Sequence, residues 1–135
     1  MIKNFPASLD KLHEMIQFVK EQTESAGFDS SIVSKIELAT EEALVNIISY
    51  GYPDRIGTIE ILCSPPEKLG IKIVIKDHGI PYNPLTDAKK YIVGNPLQSR
   101  TIGGYGVFFI LKIMDEVNYK REDNYNVLTL VKYRS

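Results

Sequence analysis

The sequence is poor in the residues that form covalent cross-links and metal centres. Its 135 residues include one cysteine, Cys63, and two histidines, His13 and His78. One cysteine excludes a disulfide within the chain, and two isolated histidines cannot supply the ligand set of a zinc site. Cys63 lies within an apolar segment, which favours an inert buried thiol over a catalytic one.

Charge of one sign and long apolar runs are also lacking. The formal net charge is −1, and acidic and basic residues are interspersed, so we expect no direct binding of nucleic acid or of an anionic membrane. No segment approaches the ~18 consecutive apolar residues of a membrane span. The N-terminal segment MIKNFPASLDK lacks the apolar core of a signal peptide. These absences predict a cytoplasmic protein, and the length predicts that residues 1–135 form one domain.

Hydrophobic periodicity in the first half of the chain predicts two amphipathic helices. We expect a short edge strand at residues 1–5, which a proline ends. Ser8 would cap a first helix that runs to about Ser25. A second helix, capped by Asp29 or Ser30, would reach about Tyr50.

The second half of the chain changes to the period-two alternation of strands. Four segments share this pattern: residues 58–64, 69–77, 117–121 and 127–133. A loop rich in proline, glycine and asparagine, from about residue 78 to 104, is long enough to be a candidate lid, and it includes a short helical pattern near Leu85–Tyr91. The run VFFILKIM that follows predicts a buried helix at Val107–Met114.

The order of these elements is strand, helix, helix, strand, strand, loop, helix, strand, strand. Short turns between neighbouring strands favour antiparallel pairing. We therefore expect an α+β fold: a two-layer α/β sandwich with a mixed, mostly antiparallel sheet that about three helices cover on one face.

Asn46 is an unusual residue for its place in the second predicted helix. The segment ELATEEALVNIISYGYP sets it in an otherwise apolar run, one turn after Glu42. Residues at i and i+4 lie on one line of a helix, so both side chains can face one ligand. A carboxylate can accept a proton, and an amide oxygen suits Mg²⁺. The plainer interpretation is an exposed helix face, although asparagine is a poor residue in mid-helix.

Asp77 ends a strand of buried type, and Gly79 follows two residues later. A carboxylate in this place can accept a hydrogen bond from an exocyclic amine such as that of adenine. The glycine lets the backbone and a ligand approach closely. An ordinary turn after a strand explains the same two residues.

Three glycines, Gly103, Gly104 and Gly106, immediately precede the last predicted helix. The N-terminus of a helix offers unpaired N–H groups and a positive dipole end, so this segment could bind a phosphate. A flexible hinge is the alternative. Thr129, in the last predicted strand, could face the same pocket or simply be a good strand former.

In this order, the segments resemble the GHKL ATPase superfamily with its Bergerat nucleotide-binding fold. They are most similar to its small single-domain members, the bacterial anti-sigma factor serine kinases. Glu42–Asn46 resembles the N box, Asp77–Gly79 the start of the adenine-binding box, and Gly104–Gly106 the second glycine box. The likeness extends over nearly the whole chain, from about Ser8 to Tyr133.

The resemblance implies a role for each residue at the phosphate end of an ATP site. Asn46 would bind the Mg²⁺ that bridges the phosphates, and Glu42 would be the general base that activates an incoming hydroxyl. Gly103, Gly104 and Gly106 would shape the phosphate end of the pocket.

At the adenine end, the resemblance implies that Asp77 reads the amino group of the base and that Gly79 leaves room for it. Thr129 would support this contact. The implied activity is that of an ATP-dependent protein-serine kinase. Its substrate would be an anti-anti-sigma protein of the STAS type, its second partner a sigma factor, and its assembly a homodimer.

The chain departs from the family pattern at several positions. Ile80–Pro81 replace the second glycine of the adenine box, Tyr50 stands where many related kinases have histidine, and Thr101–Gly103 replace an Arg-Ser pair. A module that binds ATP, or has lost it, and acts by partner exchange alone is therefore the alternative to a kinase. A detached histidine-kinase catalytic domain and an unrelated small α/β protein are further alternatives.

Overall fold

A computed structural model describes residues 1–52, 57–85 and 104–134 of the chain. Within these ranges it has five strands and three α-helices, in the order that the sequence predicts. The strands are β1 (Ile2–Pro6), β2 (Thr58–Ser64), β3 (Gly70–Asp77), β4 (Glu116–Glu122) and β5 (Tyr125–Tyr133). The helices are α1 (Leu12–Ser25), α2 (Ser30–Gly51) and α3 (Gly104–Ile113).

The strands form one sheet in the order β1-β2-β3-β5-β4, and each neighbouring pair in it is antiparallel. The helices lie on one face of this sheet. The α+β sandwich is thus confirmed, with β1 at an edge as expected. None of the helices in the described ranges is both long and apolar enough to cross a membrane.

The buried row of β3 explains where Asp77 lies. Ile71, Ile73 and Ile75 are almost fully buried against the helices. Alternate residues of a strand share a face, so Asp77 continues this row and also points toward the helix layer, with 1% of its surface exposed. The periodicity that builds the core therefore also places a carboxylate inside the molecule.

The helix starts follow from side chains that cap free N–H groups. Asp29 caps α2, because its Oδ1 accepts a hydrogen bond from the N–H of Ile32 at 3.0 Å. Ser8 caps a single 3₁₀ turn, Leu9–Lys11, and the α-helical hydrogen bonds begin only at Leu12. The first helix therefore starts about one turn later than predicted.

Two details of the C-terminal half differ from the predictions. Helix α3 is only partly buried: Val107 and Ile110 are inaccessible, whereas Phe108 and Phe109 are 46% and 41% exposed. Strand β5 starts two residues earlier than expected, because Asp123 and Asn124 alone form the hairpin turn, both with positive φ. The predicted lid and the short helical pattern lie mostly outside the described residues.

Candidate functional site

Helix α2 contains a buried side-chain amide, that of Asn46. Asn46 is 1% exposed, and neither its Oδ1 nor its Nδ2 has a partner among the residues that the structure describes. A buried polar group left unsatisfied costs about 1–3 kcal/mol. Its buried neighbours along α2, Leu44, Ile47 and Ile48, are apolar, so these side chains cannot offset the cost. The amide is therefore suited to a ligand that binds beside it.

Glu42 lies one turn before Asn46 and contacts the start of α3. A Cβ atom built on Gly106 would lie 2.4 Å from Oε2 of Glu42 and 3.0 Å from its Cβ. A side chain at position 106 would therefore displace the Glu42 carboxylate or move the first turn of α3 away from α2. Burial raises the pKa of the Glu42 carboxyl, and the neighbouring charge of Glu41 raises it further. A raised pKa brings a carboxylate closer to the range in which it is an effective general base at neutral pH.

The end of β3 packs against the last turn of α2. The Oδ1 of Asp77 accepts a hydrogen bond from the N–H of Gly79 at 2.9 Å. A Cβ atom on Gly79 would lie 2.5 Å from the carbonyl oxygen of Gly51, so a larger residue would push the two segments apart. The N–H of Ile80 donates to the same carbonyl at 3.2 Å. From the sequence alone, Gly79 could belong to an ordinary turn. The close contact with Gly51 shows why a glycine is needed there.

Helix α2 thus joins two groups of residues that are distant in sequence. Gly51 follows Asn46 by five positions, which is about 7 Å along a helix axis. Glu42 and Gly106 lie near the Asn46 end of this part of α2. Asp77 and the loop after it lie near the Gly51 end. The structure brings together a carboxylate with a raised pKa, the N-terminus of a helix, a buried acceptor and an amide that has no partner in the described part of the chain. Such a set can bind a ligand with phosphates at one end and an amine-bearing base at the other.

One predicted residue, Thr129, does not join this group. Thr129 pairs with Val74 across the β3–β5 ladder, whereas Asp77 pairs with Asn126. A side chain three positions along a strand lies on the opposite face, so Thr129 points away from the helix layer. Gly103 lies outside the described residues.

The start of α3 differs from the prediction in its position. Gly104 is the first residue of this helix, which therefore begins three residues before the predicted Val107. Gly104 and Gly106 consequently belong to the first turn of α3 rather than to a loop before it. The free N–H groups of a helix start lie within this glycine segment.

Sequence reasoning missed Asn126, which is 5% exposed and donates from Nδ2 to Oδ1 of Asp77 at 3.1 Å. Tyr119 and Arg121 of the neighbouring strand belong to the same network. In the sequence, Asn126 is an asparagine close to a turn, and asparagine is common in turns, so it does not stand out as a site residue. Only the strand register shows that it lies opposite Asp77.

The remaining reactive groups are consistent with the sequence. Cys63 is 4% exposed, and burial raises the pKa of its thiol to about 12, so the thiolate is scarce at neutral pH. In the part of the chain that the structure describes, no three histidine, cysteine or acidic side chains cluster as metal ligands. A metal ion bound among the described residues would therefore need further ligand atoms from a bound molecule or from water.

A family model described as "Histidine kinase-like ATPase domain" matches residues 5–132. The chain belongs to the histidine kinase-like ATPase domain family. The resemblance to the GHKL superfamily is thereby confirmed.

Two curated relatives show which members of the histidine kinase-like ATPase family are similar. The serine-protein kinase RsbW of Bacillus mycoides (strain KBAB4) is 26% identical over 110 residues, which are 79% of this chain and 68% of that protein. The serine-protein kinase RsbW of Bacillus cereus (strain AH820) is 24% identical over 110 residues, again 79% of this chain and 68% of that protein.

A solved structure of the same fold is the histidine kinase domain of the blue-light activated histidine kinase from Erythrobacter litoralis EL346. It superposes with a TM-score of 0.54 and 14% identity, covering 91% of this chain and 61% of that chain. At this identity the likeness supports the fold of the histidine kinase-like ATPase domain and nothing further.

Proposed function

We propose that this protein binds ATP with Mg²⁺ between α2, the end of β3 and the start of α3, and transfers the terminal phosphate to a serine of a protein partner. The observation that carries the proposal is the buried amide of Asn46, which has no hydrogen-bond partner among the described residues. Membership of the ATPase domain family and the likeness to two serine-protein kinases support the same activity.

The residues at the phosphate end fit a magnesium–phosphate complex. The Oδ1 of Asn46 is a neutral oxygen ligand, which is the type that Mg²⁺ accepts alongside phosphate oxygens and water. When bound, the ion would neutralise part of the phosphate charge. The first turn of α3 offers its free N–H groups at the same end, where Gly106 allows a close approach.

Glu42 is the proposed general base. It accepts the proton of the serine hydroxyl as that oxygen forms a bond to the terminal phosphorus. The bond from this phosphorus to the bridging oxygen then breaks, and ADP leaves. Phosphoryl transfer depends on such positioning and on charge neutralisation more than on covalent chemistry with the protein.

Asp77 is the proposed acceptor for the amino group of adenine. Its carboxylate is buried and lies beside Gly79, whose lack of a side chain keeps the chain close to α2. In this proposal, base recognition takes place at the last turn of α2 and phosphate binding one to two turns earlier.

The proposed partners are those implied by the resemblance of the sequence motifs to anti-sigma factor serine kinases, and the likeness to the RsbW kinases supports them. The phosphorylated protein would be an anti-anti-sigma protein of the STAS type, and the second partner a sigma factor that the unphosphorylated antagonist displaces. The protein would act as a homodimer in the cytoplasm, where sigma factors function.

Calorimetric titration with ATP, with and without Mg²⁺, tests this proposal. We expect binding by the purified protein that Mg²⁺ strengthens at least about tenfold, and loss of this Mg²⁺ dependence in Asn46→Leu. The matched control is Thr40→Val, since the buried hydroxyl of Thr40 already donates to the carbonyl of Ile36 at 2.8 Å. The control should bind like the wild type. Absence of ATP binding by the wild type, or an unchanged Mg²⁺ dependence in Asn46→Leu, would contradict the proposal.

A partner-exchange module without kinase activity is the second candidate. The observation that favours it is the loop after Asp77, where the carbonyl groups of Gly79 and Ile80 are both held by side chains of the β4–β5 hairpin. A stiff loop is compatible with a nucleotide that is bound but not turned over. Incubation with labelled ATP and a STAS-type protein from the same genome separates the candidates, because only a kinase labels the partner.

A further inference from the structure

Asn126 uses its complete hydrogen-bonding capacity inside the molecule. Its Nδ2 donates to Oδ1 of Asp77 at 3.1 Å and to the carbonyl of Ile80 at 3.0 Å. Its Oδ1 accepts from the hydroxyl of Tyr119 at 2.6 Å and from the N–H of Tyr82 at 3.3 Å. A side-chain amide has two donor hydrogens and two acceptor lone pairs, so none is left over.

These four bonds define one orientation of the amide. If the amide were rotated by half a turn, its oxygen would face the carboxylate of Asp77 and the carbonyl of Ile80, which are both acceptors. Its NH₂ group would then face two donors. Burial raises the pKa of Tyr119, with Arg121 opposing and Asp77 adding to the effect, so the phenol remains a donor over the physiological range. The amide therefore presents its NH₂ group permanently to Asp77.

The same amide ties Asp77 to the chain that follows it. Asn126 lies directly across the ladder from Asp77. It also bonds to the carbonyl of Ile80 and to the N–H of Tyr82, three and five residues after Asp77. The N–H of Ile80 in turn donates to the last residue of α2. The loop is therefore held from the β4–β5 hairpin on one side and from α2 on the other.

We propose that Asn126 is the positioning residue of the base-recognition end, and that it makes the site select a purine with an exocyclic amine. The inference rests on the proposed function, because it assumes that Asp77 meets the base. Two N–H donors, from Asn126 and Gly79, bind Oδ1 of Asp77 and fix the direction of the carboxylate before a ligand arrives. Such preorganisation favours a ligand that supplies a donor in one direction only.

The test compares ATP with purine riboside triphosphate, which lacks the amino group and is otherwise the same molecule. Equilibrium titrations in Mg²⁺ give an affinity ratio for each protein. We expect the wild type to favour ATP by about tenfold to a hundredfold, the range for a hydrogen bond to a charged group. In Asn126→Leu, which has a similar volume and no polar atoms, the ratio should fall to within about threefold of unity.

A purely structural role would weaken both nucleotides equally and leave the ratio unchanged. Tyr119→Phe is the matched control, since it removes a bond to Oδ1 of Asn126 and keeps both bonds from Nδ2. It should retain the wild-type ratio. If Asn126→Leu does not fold, Asn126→Asp replaces it, because a second carboxylate facing Asp77 should reduce the ratio while preserving the shape.

The outcomes separate this inference from the proposed function. A wild type that binds ATP but does not discriminate, or an Asn126 variant that keeps the wild-type ratio, overturns the role of Asn126 alone. A wild type that binds neither nucleotide overturns the proposed function and the inference with it.

Discussion

Asn46 and Asn126 are both buried amides, yet their surroundings are opposite. Asn46, at the proposed phosphate end, has no partner among the described residues, whereas Asn126, at the proposed base end, has four. An unsatisfied amide costs stability and a satisfied one contributes to it. Under the proposed function, the base end is therefore complete before a ligand binds, while the phosphate end is completed by the ligand.

The largest expected effect is a loss of phosphate transfer without a loss of ATP binding, when Glu42 is changed at the proposed phosphate end. We expect Glu42→Gln to reduce phosphate transfer to a STAS-type partner by about 10²–10⁴-fold, the usual contribution of a general base. ATP affinity should stay within about threefold, because the side chain keeps its shape. The measurement is the initial rate of label transfer at saturating ATP.

Asp77→Asn is the corresponding change at the base end. It should weaken ATP binding and leave the rate at saturation largely unchanged. A Glu42→Gln protein that labels its partner at the normal rate would show that Glu42 is not the base.

The next effect concerns the stability of the base end. Asn126→Leu removes one hydrogen bond from each of four groups, so we expect the free energy of unfolding to fall by about 2–4 kcal/mol. These groups belong to Asp77, Ile80, Tyr82 and Tyr119. Urea denaturation followed by circular dichroism measures this loss. A change no larger than that of an ordinary surface substitution would mean that the network is not maintained in solution.

Asn46→Leu should change stability in the opposite direction. Removing a buried amide without a partner should raise the free energy of unfolding by about 1–2 kcal/mol, even though the variant loses its Mg²⁺-dependent binding. The same urea titration applies. A destabilised Asn46→Leu protein would show that the amide has a structural partner and would remove the contrast between the two asparagines.

Sequence patterns predict the elements and most of the phosphate end. Hydrophobic periodicity places α2 and β3, and it sets Asp77 at the end of a buried row. Asn46 is identifiable because it conflicts with its apolar neighbours, which is a local signal. The fold follows from such signals because each element buries one face, whichever ligand the protein binds.

The base end depends on strand register, which the sequence does not show. The two-residue turn at Asp123–Asn124 sets the register between β4 and β5, whereas the separate pairing of β5 with β3 places Asn126 opposite Asp77. A shift by one residue would exchange the two faces of β5, so neither Asn126 nor the outward position of Thr129 could be deduced beforehand. The exposed face of α3 could not be predicted either, because a densely apolar segment does not show which of its side chains face the sheet.

The smallest expected effect is the pH dependence that Glu42 gives to stability. Its pKa is raised in the folded protein, so between the ordinary glutamate pKa and the raised one the folded state holds a proton that the unfolded state releases. Stability therefore falls as the pH rises through this window and remains lower above it. Glu42→Gln lacks the titrating group, so it should be more stable than the wild type above the window, with the difference vanishing below it.

Urea midpoints measured across this pH range test the prediction, with Glu24→Gln on the exposed face of α1 as a control for the loss of one negative charge. Solvent screens the half-buried carboxylate, so the difference should be smaller than that at either asparagine. If Glu42→Gln and Glu24→Gln show the same pH dependence, burial does not affect Glu42. If only Glu42→Gln gains stability, then Glu42 and Asn46 both weaken the fold at the phosphate end, where a bound ligand would use the carboxylate and the amide together.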